Sequence, residues 1–451
     1  MPRRARGLAS VCWVALTATT TPSLGQTVAP QRPTTLVVGR AEAPSPMDRL
    51  DGARRGLTSA PLPDTTLRVA WRRGVSSSLD HPPLVTRDGG LVLLTRKGDL
   101  LELDKDGSEQ RRLVVGGGPL GPGAILSDGT VVAMTTAGEA VGIQRDGVRF
   151  RARIGDRGAV ALVAPLPLDD GGVIVASATG PTGAPAASEV VALDAHGQVR
   201  ARATVPQPVV WPLVATASGV ACITTDGLVY VWAPGHSPVL AGSFGGPIDG
   251  GALALDPRTL VAVVDARRLV SLDLEHSEAR VLLTSTGALL GPLSSRGRHV
   301  YAMEVTPRLS RLLDVDLAPG GIVTALALTT GPATLDPDGR IATGHVPVHT
   351  ATLVDASGTV AFAGPDGHVG VVSSSGMTDL GEVVCGRGAP PLGTPPLPSH
   401  GGGGPFHMAP ATTTARPSAG FAGLSAAGPG AFLVACEAGL LVLVQGEPAA
   451  R

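Results

Sequence analysis

Asparagine is missing altogether from the 451 residues, and only two of the 36 basic residues are lysines, Lys97 and Lys105. Aromatic residues make up 3% of the chain and charged residues 16%. So little charge excludes a coiled coil and a charge-driven disordered chain. A net charge of −1 excludes a basic nucleic-acid binder. Arginine in near-total preference to lysine, with abundant Ala, Gly, Pro and Val, is a compositional bias and does not itself mark a phosphate site. The four cysteines include no CxxC pair, which excludes a zinc ribbon and a thioredoxin-like motif. Beyond the N-terminus no run of 18 apolar residues occurs, so no membrane-spanning helix is expected there.

What is present is 43% hydrophobic residues, enough for a large core, and 61 glycines with 40 prolines, a turn-rich composition. Arg3, Arg4 and Arg6 precede an apolar stretch from Leu8 to Thr20, and Ser23-Leu24-Gly25 offers small residues before Gln26. This is the three-part pattern of a secretory signal peptide over residues 1–25. Cys12 lies inside the apolar stretch and follows Val11, whereas a lipid-anchored cysteine follows that stretch and a small residue. A periplasmic or secreted protein is therefore the expectation, ahead of a lipid-anchored one. Removal of the signal leaves Cys222, Cys385 and Cys436. Cys385 with Cys436 is the preferred pair if one oxidises, because Cys222 sits in a strand-like run. Three buried free thiols are the first reading, ahead of that disulfide.

Residues 26–66 are rich in Pro, Thr, Ala and Arg without apolar period, and read as an irregular N-terminal arm or linker. From residue 67 to 448 the chain repeats. Asp-Gly pairs recur at Asp88-Gly89, Asp128-Gly129 and Asp170-Gly171, and at Asp106-Gly107 and Asp146-Gly147, a period of 40 to 42. Asp-Gly is a favoured two-residue hairpin turn, with positive φ at both positions. Short apolar runs follow, such as Leu91–Leu94 and Val131–Met134, then second runs such as Leu100–Asp104 and Val190–Asp194. Further units follow around 220–232, 260–274, 300–316, 360–372 and 432–444, with a partial unit at 329–350. Repeats near 40 residues with several strands each are the pattern of a β-propeller. The expected fold is all-β, a single propeller of four-stranded blades. Eight blades is the first reading and seven the alternative. The strand at 67–71 has no sheet of its own and the last unit lacks an outer strand, so the N-terminal strand is expected to close the ring and cover an open edge. Residues 386–419, with Pro390-Pro391, Pro395-Pro396 and Gly401 to Gly404, read as an insertion loop before the last blade.

Ser45-Pro46-Met47-Asp48-Arg49-Leu50-Asp51-Gly52-Ala53-Arg54-Arg55-Gly56 resembles the lead-in of bacterial proteins with PQQ-like β-propeller repeats. Val69-Ala70-Trp71-Arg72 and the strands Leu101-Glu102-Leu103-Asp104 and Val191-Ala192-Leu193-Asp194 are similar to that family's repeat. The resemblance covers residues 45 to about 446. It implies the propeller fold. For function it implies either a quinoprotein dehydrogenase or a propeller like the quinone-free outer-membrane assembly lipoprotein. Quinoprotein enzymes of the family hold their cofactor between a Trp and a disulfide of adjacent cysteines, beside calcium bound by Glu, Asn and Asp. This chain has no adjacent cysteines and no asparagine, and the family's aromatic repeat positions are mostly aliphatic here.

Other motifs are equally bare. Gly116-x-Gly118-x-x-Gly121 contains Pro119, is followed by Pro122 and opens no helix, so it reads as a turn between blades. His345 and His349 are separated by Pro347, which prevents a helical metal face. His400 and His407 flank a Gly run in the loop. No P-loop and no nucleophile elbow are present. The expectation is no catalytic, cofactor-binding or metal residues, no cofactor, and no enzyme activity. The chain is read as an exported monomeric scaffold in the bacterial envelope, binding another envelope protein through its loop faces. The alternative is a ligand binder or PQQ-dependent oxidoreductase using the central channel.

Overall fold

The computed structural model describes residues 43–116, 118–155, 163–179, 186–306, 310–328, 351–364, 367–385 and 421–447. The signal segment, the partial unit at 329–350, the loop at 386–419 and the histidines at 345, 349, 400 and 407 lie outside them. The described chain is all-β, eight sheets in a ring, each giving a four-stranded blade. Blade 1 runs from Leu84 to Val114 and blade 2 from Leu120 to Arg153. Blades 3, 4 and 5 begin at Leu166, Val214 and Ile248, and blades 6, 7 and 8 at Ala288, Ala351 and Phe421.

The Asp-Gly signal marks hairpins, but not of the expected type at most sites. At Asp88-Gly89 the Gly89 N–H donates to the Thr86 carbonyl and the Thr86 N–H to the Gly90 carbonyl. The loop is three residues long, with only Gly89 at positive φ, +83°. Asp106-Gly107, Asp128-Gly129 and Asp170-Gly171 repeat this arrangement. Asp keeps negative φ and uses its carboxylate locally, as where Asp128 Oδ1 accepts the Thr130 N–H at 2.9 Å.

The core is divided among the seams. Eight apolar clusters hold the blades together, each built from the facing strands of two neighbours. Between blades 1 and 2, Leu84, Val92 and Leu100 meet Ile125, Val131 and Val141. With few aromatics these seams are filled by Val, Leu, Ile and Ala. Trp232 is an exception, fully buried between blades 3 and 4 with its indole N–H donating to the His236 carbonyl at 3.0 Å. The ring closes as the sequence suggests. The strand Leu67–Gly74 pairs antiparallel with Leu440–Gly446, from Leu67 opposite Gly446 to Gly74 opposite Leu440, and supplies the outer strand of blade 8. A disulfide joins Cys385, just past the outer strand of blade 7, to Cys436 at the end of the second strand of blade 8. Cys222 is a buried free thiol, its pKa pushed up to about 12 by burial.

Candidate functional site

The innermost strands of a propeller line its central channel, and here one mouth of that channel is crossed by the chain itself. The stretch read as part of an irregular arm makes no sheet of its own beyond the two residues Leu57–Thr58, which pair parallel with Val354 and Asp355. It makes instead one or two bonds to each blade in turn. Backbone N–H groups of Val85, Ile125, Ala215, Ala254, Ser295, Val354 and Gly430 donate to the carbonyls of Ser45, Pro46, Gly52, Ala53, Arg55, Gly56 and Pro61. Those donors belong to blades 1, 2, 4, 5, 6, 7 and 8. Blade 3 is reached by the Arg54 side chain, which donates to the carbonyls of Ala164 and Pro165 at 3.1 and 3.0 Å. Residues 45–62 thus form a clasp over all eight blades.

Two arginines fasten the clasp. Arg54 is 2% exposed, and besides blade 3 it donates to Leu213 at the entry to blade 4 and to Asp48 of the clasp. Arg49 donates to the carbonyls of Leu293 and Thr352, bridging blades 6 and 7. Burial lowers both pKa values, that of Arg49 to about 10, which leaves the Arg49 guanidinium charged at neutral pH. Asp48 and Asp51 favour that charge electrostatically. The backbone is strained to place them. Arg49, Leu50 and Arg54 adopt φ of +59°, +71° and +57°, a region that costs a side chain about 1–2 kcal/mol.

A second irregularity lies on the inner strands of blades 5 and 6. In blade 5 the register jumps between Asp249 and Ala252, over the bulge Gly250-Gly251, whose φ values are +68° and +83°. In blade 6 it jumps between Leu290 and Ser294, over Gly291-Pro292-Leu293. The two bulges touch: a Cβ on Gly250 would lie 2.4 Å from Gly291 Cα, so only glycine fits. The Asp249 carboxyl accepts the backbone N–H groups of both Gly250 and Gly291. Burial nevertheless raises its pKa, the two N–H bonds opposing the shift. A carboxyl with a raised folded-state pKa adds stability at acid pH and loses it as pH rises through that pKa. Asp249→Asn removes this titration. The melting temperature of the variant minus that of the wild type is therefore expected to rise between pH 4 and pH 7. Parallel melting curves across that range check it, and a flat difference overturns it.

A cleft of about 1030 Å³ lies between the turns of blades 1 and 2 and includes Asp88, Glu102, Asp104 and Asp128. Its carboxylates are already engaged. Glu102 pairs with Arg111 at 3.0 Å and Asp128 with Arg149. Asp88 is held below the usual carboxylate range, first by the Thr86 hydroxyl at 2.5 Å. Among the described residues, no three His, Cys, Asp or Glu side chains converge as metal ligands. Gly116 sits between blades 1 and 2, donating its N–H to the Gly98 carbonyl, as an inter-blade turn requires.

The groups a quinone site of this fold family needs do not match those present. The disulfide spans 51 residues and lies at the seam of blades 7 and 8. Asparagine is absent, and Trp232 is enclosed in a seam. Of the motifs scanned, the glycine run falls at a turn between blades and the four histidines lie outside the described residues, whereas the clasp and Asp249 carry no motif that scanning detects.

No family model and no curated protein matches the chain. Many solved structures share its fold. BamB from Moraxella catarrhalis is 15% identical over 85% of this chain and 99% of that one, with a TM-score of 0.53. Quinohemoprotein alcohol dehydrogenase from Comamonas testosteroni is 11% identical over 92% and 82%, with a TM-score of 0.54. The computationally designed protein Ika8 is 12% identical over 83% and 98%, with a TM-score of 0.54. No helix among the described residues is long and apolar enough to cross a membrane. The chain shares the propeller fold of these structures, and that fold alone does not set a function.

Proposed function

We propose that this protein is an exported, non-catalytic propeller that acts as a protein-interaction scaffold in the bacterial envelope. The observation that carries the reading is the clasp. One mouth of the channel, where a propeller enzyme could admit substrate, is crossed by the chain's own residues 45–62. The arginines there direct their donors to backbone carbonyls. A ring so fastened offers partners its loop faces and its rim. The disulfide between Cys385 and Cys436 fits the oxidising compartment that a cleaved signal peptide leads to.

Two measurements test this together. Expressed with its leader in a bacterium, the tagged protein is expected in the periplasmic or culture fraction with Gln26 as its new N-terminus by mass spectrometry. Crosslinked and purified from the envelope of its native host, it is expected to enrich an envelope protein that an unrelated exported propeller does not. Retention in the cytoplasm with the leader intact refutes export. A folded, exported bait that enriches nothing refutes the scaffold role.

A further inference from the structure

The last strand of each blade is the outer edge of its sheet, and six of the eight carry charged side chains. Charge on an outermost strand guards it against pairing with another chain. Two edges lack that guard: Val239–Ser243 in blade 4 and Val323–Ala327 in blade 6. The blade 6 edge reads Val-Thr-Ala-Leu-Ala, and all of it but Leu326 is exposed. Ile322, just before it, is 74% exposed.

The register fixes what this edge offers. The Asp316 N–H donates to the Ile322 carbonyl at 3.2 Å and the Leu328 N–H to the Ser310 carbonyl at 2.9 Å. Thr324 lies opposite Asp314 and Leu326 opposite Leu312 in the same ladder. Bonded pairs alternate along an antiparallel ladder. The N–H and C=O groups of Val323, Ala325 and Ala327 therefore point away from the sheet, and among the described residues no strand pairs with them. The same alternation puts the side chains of Ile322, Thr324, Asp314 and Asp316 on one face, with His299 opposite Asp316.

These five residues wall a cavity of about 300 Å³ at the end of the edge, and no lysine or arginine lines it. Asp314 Oδ1 pairs with His299 Nδ1 at 2.8 Å, and Asp316 Oδ1 accepts the Ala318 N–H at 2.8 Å. Among the described residues nothing donates to the second oxygen of either carboxylate. A strand added to the edge would lie two strand spacings from Asp314, about 10 Å. Arginine has the length to cross Thr324 and a fork of donors to meet a carboxylate. The edge thus asks for an uncharged backbone, and the cavity beside it for one cation.

We propose that a partner docks on the blade 6 edge Val323–Ala327. It adds an extended, uncharged segment as a fifth strand, and one arginine of that segment reaches over Thr324 to Asp314 and Asp316. This inference rests on the scaffold reading and names the chemistry of its partner.

The test uses the oxidised mature protein and the end-blocked peptide Ser-Thr-Val-Thr-Arg-Thr-Val-Thr-Ser. One control carries glutamate in place of arginine. The other is N-methylated at the two threonines flanking the arginine, whose N–H groups face the edge when arginine lies opposite Thr324. Fluorescence anisotropy is expected to give a dissociation constant on the order of 1 mM or tighter for the arginine peptide, with each control about tenfold weaker. That peptide is also expected to slow amide exchange over Val323–Ala327 and leave Val239–Ser243 unchanged. Thr324→Lys sets a cation beside Asp314 from within the strand. It and Asp314→Asn are each expected to weaken binding about tenfold with the β signal in circular dichroism intact. Equal binding of the arginine and glutamate peptides, or unslowed exchange at the edge, overturns the proposal. An edge already protected in the free protein overturns it too, because the chain then covers its own edge. A dimer in sedimentation that Thr324→Lys dissociates makes a second copy the occupant and overturns it equally. In envelope crosslinking, a partner enriched by the wild type is expected to be lost with Thr324→Lys. A partner enriched equally by both overturns this docking site and leaves the scaffold role standing, whereas no partner for either refutes the scaffold role and the site with it.

Discussion

Arg54→Ala is expected to lower the stability of the ring by about 3–5 kcal/mol, among the larger effects a single substitution produces. The side chain donates to four carbonyls, those of Asp48, Ala164, Pro165 and Leu213, and is 2% exposed. Alanine leaves those acceptors without their donor and opens a cavity where blades 3 and 4 meet the clasp. It also leaves the left-handed φ of +57° in place with its cost unrelieved. Some of the loss is returned, since a guanidinium no longer has to be buried, and that offset keeps the figure below the sum of four charged hydrogen bonds. Arg55→Ala is the internal control. Arg55 pairs with Asp51 at 2.8 Å and is partly exposed, so its removal is expected to cost under about 1 kcal/mol. Denaturant melts of both variants against the wild type decide the matter. Equal effects from the two substitutions would mean that the clasp merely rests on the propeller.

The clasp also explains what the sequence reveals and what it conceals. The blades were legible because their information is local. Each Asp-Gly turn sits between apolar runs, and the signal survives even though most of the turns are three residues long and not two. Ring closure was legible by subtraction, since Leu67–Gly74 had no partner and the last unit lacked a strand. Residues 45–56 read as irregular because their backbone carbonyls bond to six different blades. Consecutive residues facing successive blades around a mouth follow neither the two-residue period of a strand nor the 3.6-residue period of a helix. Family resemblance marked this segment, but no physical pattern gave its place. Asp249 was hidden for a related reason. What distinguishes it is the contact of two bulges on neighbouring blades, and a bulge shows in sequence only as a glycine within an apolar run. The cysteine pairing was left open because Cys385 and Cys436 become neighbours only when blade 7 meets blade 8.

That pairing yields the other large effect. Labelling of the denatured, unreduced mature chain is expected to modify one thiol, Cys222, and reduction is expected to raise the count to three. Three labels without reductant would show that the disulfide is absent. Reduction of the wild type, or the double substitution Cys385→Ser with Cys436→Ser, is expected to cost about 4 kcal/mol. That is the loop-closure entropy expected for a crosslink spanning 51 residues. The location sharpens the expectation. The bond ties the exit of blade 7 to the second strand of blade 8, whose third strand carries the N-terminal closing strand. Seven seams are spanned by continuous chain, and the eighth, between blades 8 and 1, depends on the pairing of Leu67–Gly74 with Leu440–Gly446. Loosening blade 8 therefore weakens the joint through which the N-terminal strand closes the ring. Reductant should lower the melting temperature of the wild type, leave the double variant unchanged, and expose the blade 8 strand Leu440–Gly446 to hydrogen exchange before those of blades 2 to 6. Uniform exchange across all eight blades would mean that the crosslink stabilises the chain only through its unfolded state, with no local hold on the closing joint.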